Sequence, residues 1–576
     1  MSKHLFRKCT FVHMCFLAMA MLLCFPASGV NAAPASQENL TVSGVVTSAA
    51  DQLPLIGVSV QVKGTSNGSI TDLDGNYSVS VASGQTLVFS YIGFKTQEIQ
   101  ITNQKTLNVV MEEDSETLDE VVVVGYGVQK KKLVTGATVQ VKGETLAKMN
   151  TNSPLQAMQG QTPGVNISST SGQPGESMKV SIRGLGTVGN ASPLYLIDGV
   201  GGDISTLNPA DIESIDVLND AASAAIYGAQ AANGVVLITT KSGKAGKAQI
   251  SFDAYYGWQT QARKADMLNA QEYMMIMDEQ AINSGNAPYD WSSFESIYDA
   301  NGNVYDTDWV NSMFQNNAQT QSYTLGITGG SETSTYAMSL GYMSQEGIVG
   351  GKDVSNYERY NFRINSEHKL FKDSDLLKVG EQVSFVYKMN NGISVGNQYN
   401  NTLRGAFGTS PLAPIYSDNN IYDSPYNDTT NSDWYNADGN PYGSMTNSNN
   451  ENKDVTFSGN VYAELQPIKN LKFRTVFGAV YTTNEYRSFS PLYQFSIYSF
   501  NNTRTSAAQN MSHGLTMTWT NTATYAWTVG EHAFNALLGM EMSRYSGTYL
   551  RGTTGMLRDG FDDWDHAYLD NGTATS

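Results

Sequence analysis

Cysteine is nearly absent from this 576-residue chain: there are three, Cys9, Cys15 and Cys24, and all lie within the first 24 positions. If that stretch is a removed leader, the remainder has no disulfide framework, no thiol nucleophile and no cysteine metal site. Histidine is also scarce, and beyond the leader only His368, His513, His532 and His566 remain, none in a metal-ligand pair spacing. Long apolar runs are limited to one, Phe11 to Phe25, preceded by Lys3, Arg7 and Lys8 and followed by Val30-Asn31-Ala32. That pattern reads as a secretory signal over residues 1–32, cleaved between Ala32 and Ala33. A transmembrane anchor fits less well, because the run holds His13 and stops at Pro26, short of the ~20 apolar residues a spanning helix needs. Lipid attachment at Cys24 would want a small residue before it, where Leu22 and Leu23 stand. Removing Lys3, Arg7 and Lys8 leaves 32 basic against 53 acidic side chains, a net charge of −21 that excludes nucleic acid as an expected partner.

What is present is mainly β text. Residues 33–112 hold short alternating runs, among them Thr41 to Val46, Gly57 to Val62, Tyr77 to Val81 and Thr86 to Tyr91, the spacing of a small sandwich. Thr71-Asp72-Leu73-Asp74-Gly75-Asn76-Tyr77 invites a calcium-loop reading, but Gly75 comes too early in the loop and Ser83 stands where a bidentate Glu is required. An Asp-Gly hairpin turn accounts for it. With Pro54-Leu55-Ile56-Gly57-Val58 and Val62-Lys63-Gly64-Thr65, these residues resemble the carboxypeptidase-regulatory-like domain, a binding or spacer module without peptidase residues.

Residues 113–135 read as a solvated acidic linker carrying Val121-Val122-Val123-Val124-Gly125-Tyr126-Gly127. Four successive β-branched residues have strong strand propensity. Flanked by acids and by Lys130-Lys131-Lys132, they suit either an unpaired strand open to pairing by another protein or a strand completing the preceding sandwich. Residues 136–246 form an α+β insert, with strands at Gly164 to Ile167, Val180 to Gly184, Pro193 to Val200 and Val235 to Thr240, a helix opening at Pro209, and an Ala-rich helix over Asp220 to Ala231. Gly184-Leu185-Gly186-Thr187-Val188-Gly189 matches a dinucleotide string, but Asn190-Ala191-Ser192-Pro193 leads into a strand where the fingerprint needs a helix N-terminus. No nucleotide or other cofactor is expected.

From 247 to 576 strict alternation dominates. Tyr336, Met338, Leu340 and Tyr342 oppose Thr335, Ser339 and Gly341; Leu515, Met517, Trp519, Ala523, Tyr525 and Trp527 oppose a row of threonines. Runs of transmembrane-strand length, Tyr and Trp at their ends, and long polar connections such as Asn397 to Asn452 alternating with short ones such as Pro467 to Asn470 favour a membrane barrel over a soluble sandwich. Roughly nine such strands are expected. A barrel wide enough to enclose a globular plug needs about 22, so the wall is expected to continue beyond Ser576.

An enzyme is disfavoured. The hydrolase string G-x-S-x-G occurs at Gly64 to Gly68 and Gly392 to Gly396, yet neither copy joins a strand to a helix as a nucleophile elbow must.

Leu118-Asp119-Glu120-Val121-Val122-Val123-Val124-Gly125-Tyr126-Gly127, followed by Val134-Thr135-Gly136-Ala137, resembles the TonB box and plug entry of SusC/RagA-family TonB-linked outer-membrane proteins. Further matching phrases are Ser181-Ile182-Arg183-Gly184, Leu194-Tyr195-Leu196-Ile197-Asp198-Gly199-Val200, Asp211-Ile212-Glu213-Ser214-Ile215, Ala225-Ile226-Tyr227-Gly228, Ala231-Ala232-Asn233-Gly234-Val235, Met267 to Tyr273, and Gln345-Glu346-Gly347-Ile348. Asn219 and Gln230 depart from the family's common Lys and Arg. The resemblance implies an importer of nutrient oligomers, glycans or alternatively peptides, whose 22-stranded barrel in the cell outer membrane is blocked by the plug. Glu120 to Gly127 would bind TonB, driven by the ExbB/ExbD complex, and a SusD-like lipoprotein would cap the pore. Arg183, Gly184, Asp198, Gly199, Tyr227, Gly228, Asn233 and Gly234 would be plug-motif residues. A surface adhesin without transport is the alternative.

Overall fold

The computed structural model describes residues 39–49, 53–65, 67–91, 94–112, 121–124, 127–130, 138–149, 151, 153–184, 189, 191–219, 224–372, 374–396, 401–416, 439–495, 499–530 and 532–572. The leader and its junction at Ala32 and Ala33 lie outside the described residues, as do Glu120, Gly125 and Tyr126. The chain divides into two compact units, Met1–Glu120 and Val121–Ser576.

The first unit is a sandwich. One sheet orders Asn76–Ala82, Asn39–Ser48 and Val109–Met111; the other orders Gly68–Ile70, Ser59–Val62, Thr86–Ser90 and Gln97–Gln100. Alternating inward residues, including Val42, Val46, Val60, Leu87 and Phe89, are buried between them. Tyr77 packs edge-on against Phe89 at 5.3 Å between ring centroids, and its phenol donates to the Leu107 carbonyl at 2.8 Å, so a buried hydroxyl is satisfied. The Asp72 carboxylate is consumed by its own turn, with Oδ1 accepting from the backbone N–H of Asp74 (3.0 Å) and of Asn76 (2.8 Å). These bonds hold it below the usual carboxylate range and fit the hairpin reading. Gly75 closes the turn at φ +74°.

In the second unit, Val121–Val124 pairs antiparallel with Gly127–Lys130. The strand is thus neither unpaired nor part of the sandwich; it forms a two-stranded hairpin with the residues that follow it. Beyond it a five-stranded sheet runs Thr138–Lys142, Ile212–Leu218, Val235–Thr240, Leu194–Ile197 and Val200–Gly201, with Val235–Thr240 parallel to Leu194–Ile197 and the other neighbours antiparallel. A hairpin of Val165–Ser169 and Met178–Ile182 and two short helices, Gly143–Ala147 and Pro154–Met158, cover a core built on Val141, Leu146, Met158, Ile215, Val217 and Ile238.

Two expected helices are corrected. Pro209–Asp211 is a single 3-10 turn capped by the Asn208 side chain, after which Ile212–Leu218 runs as a central strand. The β-branched Ile212, Ile215 and Val217 all have buried places in the sheet, so tertiary packing overrides the helix-start signal of the proline. Of the Ala-rich stretch, the described part Ala225–Ala231 is 3-10 and is broken at Gly228, whose φ of +63° and ψ of −148° belong to no helix.

The remaining sheet has nine antiparallel strands in chain order: Gly246–Gln259, Ala318–Gly330, Ser334–Glu346, Asn356–Phe371, Ser374–Asn391, Asn449–Ile468, Leu471–Ser490, Ser506–Val529 and His532–Gly555. This wall matches the expected count, and among the described residues its first and last strands are edges. The register aligns Phe252, Leu325, Leu340, Phe362, Phe385, Phe457 and Tyr481 across seven strands on the outward face. Two residues further along four of these strands, Tyr323, Tyr342, Tyr360 and Tyr387 form an aromatic ladder with centroids 6.4, 4.9 and 6.2 Å apart. Apolar rows bounded by aromatics are what a lipid-facing surface requires. Among the described residues no helix is long and apolar enough to cross a membrane.

Short turns join the strands at one end of the wall and long connections at the other. The long ones were expected to be polar loops. Instead they carry helices Ala270–Asn283, Trp309–Met313, Thr402–Gly408 and Pro441–Thr446 packed around Ile297, Trp309, Met313, Leu412 and Met445. The sequence phrase Met267 to Tyr273 proves to be a capping box: Asn269 Oδ1 accepts from the Glu272 N–H at 2.9 Å and the Glu272 carboxylate accepts from the Asn269 N–H at 3.0 Å.

Gly75 gives a direct test of the sandwich turn. An added Cβ would lie 2.7 Å from the Val46 carbonyl oxygen and 2.9 Å from Pro54 Cβ, in a backbone conformation that side chains disfavour. Gly75→Ala is expected to lower the stability of the N-terminal unit by about 1–3 kcal/mol, read as a lower urea midpoint for its proteolytic degradation in the intact protein.

Candidate functional site

The site is the seam between the five-stranded sheet and the concave face of the wall. One strand, Asn356–Phe371, supplies most of it, because alternate residues point inward. Arg359 Nη1 donates to the carbonyls of Ser205 (3.3 Å) and Leu207 (3.2 Å). Asn361 Nδ2 reaches Asp211 Oδ2 at 3.5 Å. Arg363 donates to both the Asp198 carboxylate and the Thr240 hydroxyl, and Asn365 Nδ2 donates to Thr240 Oγ1 (3.0 Å) and the Lys241 carbonyl (2.8 Å). Between these four, Tyr360 and Phe362 face outward. Two strands away in the wall, Ala318–Gly330 adds Thr324, whose hydroxyl accepts from Asn208 Nδ2 at 2.8 Å.

Asp198 is held in place by its backbone. It has φ +50° and is followed by Gly199 at φ +85°, the two left-handed residues of a tight hairpin joining Leu194–Ile197 to Val200–Gly201. From that bend, Oδ1 accepts from the Thr240 N–H at 2.9 Å and Oδ2 from the Thr240 hydroxyl at 2.7 Å, in addition to Arg363. The Arg363 and Asp198 side chains are only 8% and 5% exposed, so this is a buried ion pair. Close backbone approach supports the seam elsewhere: Val200 lies where a Gly478 Cβ would stand, and the Tyr336 backbone where a Gly243 Cβ would stand.

Asp211 is fully buried beside this cluster. Burial pushes its carboxyl above the usual carboxylate range, while the Ser339 hydroxyl and the charges of Arg363, Lys241 and Arg359 pull the other way.

Of the sequence-derived plug residues, Asp198 is placed in this seam by side-chain contact. Arg183, at φ +58°, and Gly184, at φ +90°, turn the chain out of the Met178–Ile182 strand. Gly234 lies against Ile182, where a Cβ would meet Ile182 Cδ1 at 2.7 Å, and Asn233 Nδ2 reaches the Ser192 carbonyl at 3.4 Å. Tyr227 and Gly228 occupy the broken 3-10 segment, and Gly199 completes the Asp198 turn. For Val121 to Val124 and Gly127 the structure gives the hairpin backbone. Sequence reading missed Arg359, Asn361, Arg363, Asn365 and Thr240. Its one available signal was the Arg-Asn-Arg-Asn alternation against Tyr360, Phe362 and Ile364. Among the described residues no cluster of His, Cys, Asp and Glu could hold a metal.

Two predictions follow from the burial. Arg363→Ala leaves the Asp198 charge buried without its cation and should cost about 3–5 kcal/mol, seen as release of the plug to protease at lower urea, while Arg363→Met combined with Asp198→Asn, which keeps the left-handed turn and an acceptor for the Thr240 N–H, should recover most of that loss. Asp211 has a raised folded-state pKa, so its contribution is most favourable below its unfolded pKa and is lost as pH rises through the folded one. Asp211→Asn should therefore stabilise plug seating relative to wild type at neutral pH, with the advantage shrinking on acidification in the same protease assay.

Comparison with known proteins gives this arrangement a family. Residues 42–123 match the CarboxypepD_reg-like domain and residues 130–235 the TonB-dependent receptor plug domain. The chain is 31% identical over 562 residues to the TonB-dependent receptor SusC of Bacteroides thetaiotaomicron, covering 92% of this chain and 52% of that one. It is 36% identical over 410 residues to the TonB-dependent receptor P39 of Formosa agariphila, covering 69% and 36%. The solved RagAB peptide importer in its open-open state superposes with a TM-score of 0.65 at 25% identity, over 79% of this chain and 52% of that one. The chain thus spans about a third to a half of the length of these proteins. The plug domain, the carboxypeptidase-regulatory-like domain before it and the antiparallel wall after it together place the chain among the TonB-dependent receptors of the SusC/RagA type.

Proposed function

We propose that the chain forms the plug and the plug-bearing part of the wall of an outer-membrane importer of nutrient oligomers. The observation that carries this reading is the seam itself: a sheet domain with its own apolar core is held to the wall by Arg359, Asn361, Arg363 and Asn365 through hydrogen bonds and one ion pair. Polar contacts of this kind can be exchanged for water, so the plug can leave the lumen without exposing its core.

In this reading Val121–Val124 is the point of attachment for TonB. Its two-stranded hairpin is marginal alone, and among the described residues each strand pairs on one edge only, the geometry of β-augmentation. The ExbB/ExbD complex would supply the pull. Glycan oligomers are the preferred cargo, peptides the alternative. Support comes from the lumen face above the seam, where Asn484 Nδ2 donates to Asn452 Oδ1 at 2.8 Å and to Asp454 Oδ1 at 2.7 Å and Asn452 Nδ2 to Asn390 Oδ1 at 3.3 Å, amides and a carboxylate that suit hydroxyl groups. A SusD-like lipoprotein would cover the helical cap, whose first helix leaves Met275 and Ile282 exposed. The chemistry is transport, with no reaction catalysed.

Replacing Val122 and Val123 by proline removes strand donors at the coupling segment. Uptake of the cognate oligomer by cells should fall to background while binding at the cell surface stays at the wild-type level. Equal uptake by the variant would sink the coupling role.

A further inference from the structure

At its short-turn end the outward face of the wall carries a polar cluster that the transport reading does not use. His368 Nε2 lies 2.8 Å from Ser366 Oγ, the Ser366 hydroxyl donates to Glu381 Oε1 at 2.5 Å, and His368 Nδ1 lies 3.0 Å from Ser334 Oγ. The register sets Ser366 between Tyr336 and Glu381, and His368 between Ser334 and Val379. One step along the same face stand Met338, Ile364 and Val383, which are apolar. The four polar residues are all partly accessible. Ser334 is the first residue after the turn at Ser331 to Thr333, so the cluster lies at the short-turn rim of the wall, where the apolar rows end.

The group is not a hydrolytic relay. Glu381 binds the serine and leaves the imidazole to a second serine, whereas a relay needs the carboxylate on the imidazole. What the cluster offers is one carboxylate and, within a few ångströms of it, hydroxyl and imidazole donors, next to an aliphatic surface. That is the complement of a zwitterionic headgroup with two acyl chains.

We infer that Ser334, Ser366, His368 and Glu381 form a headgroup site for an ethanolamine glycerophospholipid on the short-turn side of the membrane. Glu381 accepts from the lipid ammonium, the Ser334 hydroxyl turns from His368 Nδ1 to donate to its phosphate, His368 Nε2–H holds Ser366 against Glu381, and the acyl chains lie over Met338, Ile364 and Val383. The inference rests on the reading that this face of the wall meets lipid.

The test uses the intact protein, extracted in detergent and examined by native mass spectrometry with added phosphatidylethanolamine or phosphatidylglycerol. A heat-modifiable gel shift establishes the folded barrel independently for every variant. Wild type should retain phosphatidylethanolamine in preference to phosphatidylglycerol, and Glu381→Gln should lower that retention about tenfold, the loss of one charge-assisted contact. Ser334→Ala, a milder change at the same rim, should lower retention of both lipids. Equal retention of the two lipids by wild type, or unchanged retention in Glu381→Gln with the gel shift intact, overturns the site. A wild-type protein that is folded and soluble without detergent, lacking the gel shift, overturns the site and the membrane reading together.

Discussion

Under the proposed function, a plug that both seals a lumen and leaves it cannot be held by an apolar interface. The Arg363 to Asp198 pair shows how that constraint is met. Both groups are desolvated, so the contact is specific, and both are additionally satisfied by Thr240, so neither is left as an orphan charge. The apolar residues stay within the sheet domain, where Val141, Ile215, Val217 and Ile238 pack against one another. Separation of plug from wall then costs polar contacts that water can replace, and not core area, which nothing in the lumen could replace.

The same constraint shapes the strand opposite. Asn356–Phe371 must be polar toward the plug and apolar outward, and a period of two lets one segment do both: Arg359, Asn361, Arg363 and Asn365 inward, Tyr360, Phe362 and Ile364 outward. Asp198 is delivered to Arg363 by a strained pair of left-handed residues, an arrangement in which Gly199 relieves the backbone and the aspartate accepts its cost because its side chain is bonded on both oxygens. Asp211, buried close by, carries the electrostatic tension of the seam. Its desolvation is opposed by the Ser339 hydroxyl and by three cations, of which Arg363 and Arg359 also serve other partners.

Much of the architecture was legible in order and type. The sandwich, the α+β insert and the nine-stranded wall follow from alternation and turn residues, and the chemistry-bearing strings at Gly184 to Gly189 and Gly392 to Gly396 were discounted on local context alone. Where reading failed, packing had overruled local preference. Pro209 announces a helix, but Ile212, Ile215 and Val217 are worth more in the centre of a sheet. The connections that read as polar loops fold into a helical cap, because Trp309, Leu412 and Met445, scattered over more than a hundred residues, meet only in three dimensions.

The sequence by itself determined the alternating wall and the family phrases of the plug, since each depends on residues close together in the chain. Only the tertiary structure decided that Asp198 faces Arg363 across 165 positions, that Val121–Val124 is paired with its own successor, and that Ser334, Ser366, His368 and Glu381 share one outward patch. The physical reason is the same in each case. Period and propensity fix which face a side chain takes, but strand register and sheet order fix what stands opposite it, and those are properties of pairing between distant segments.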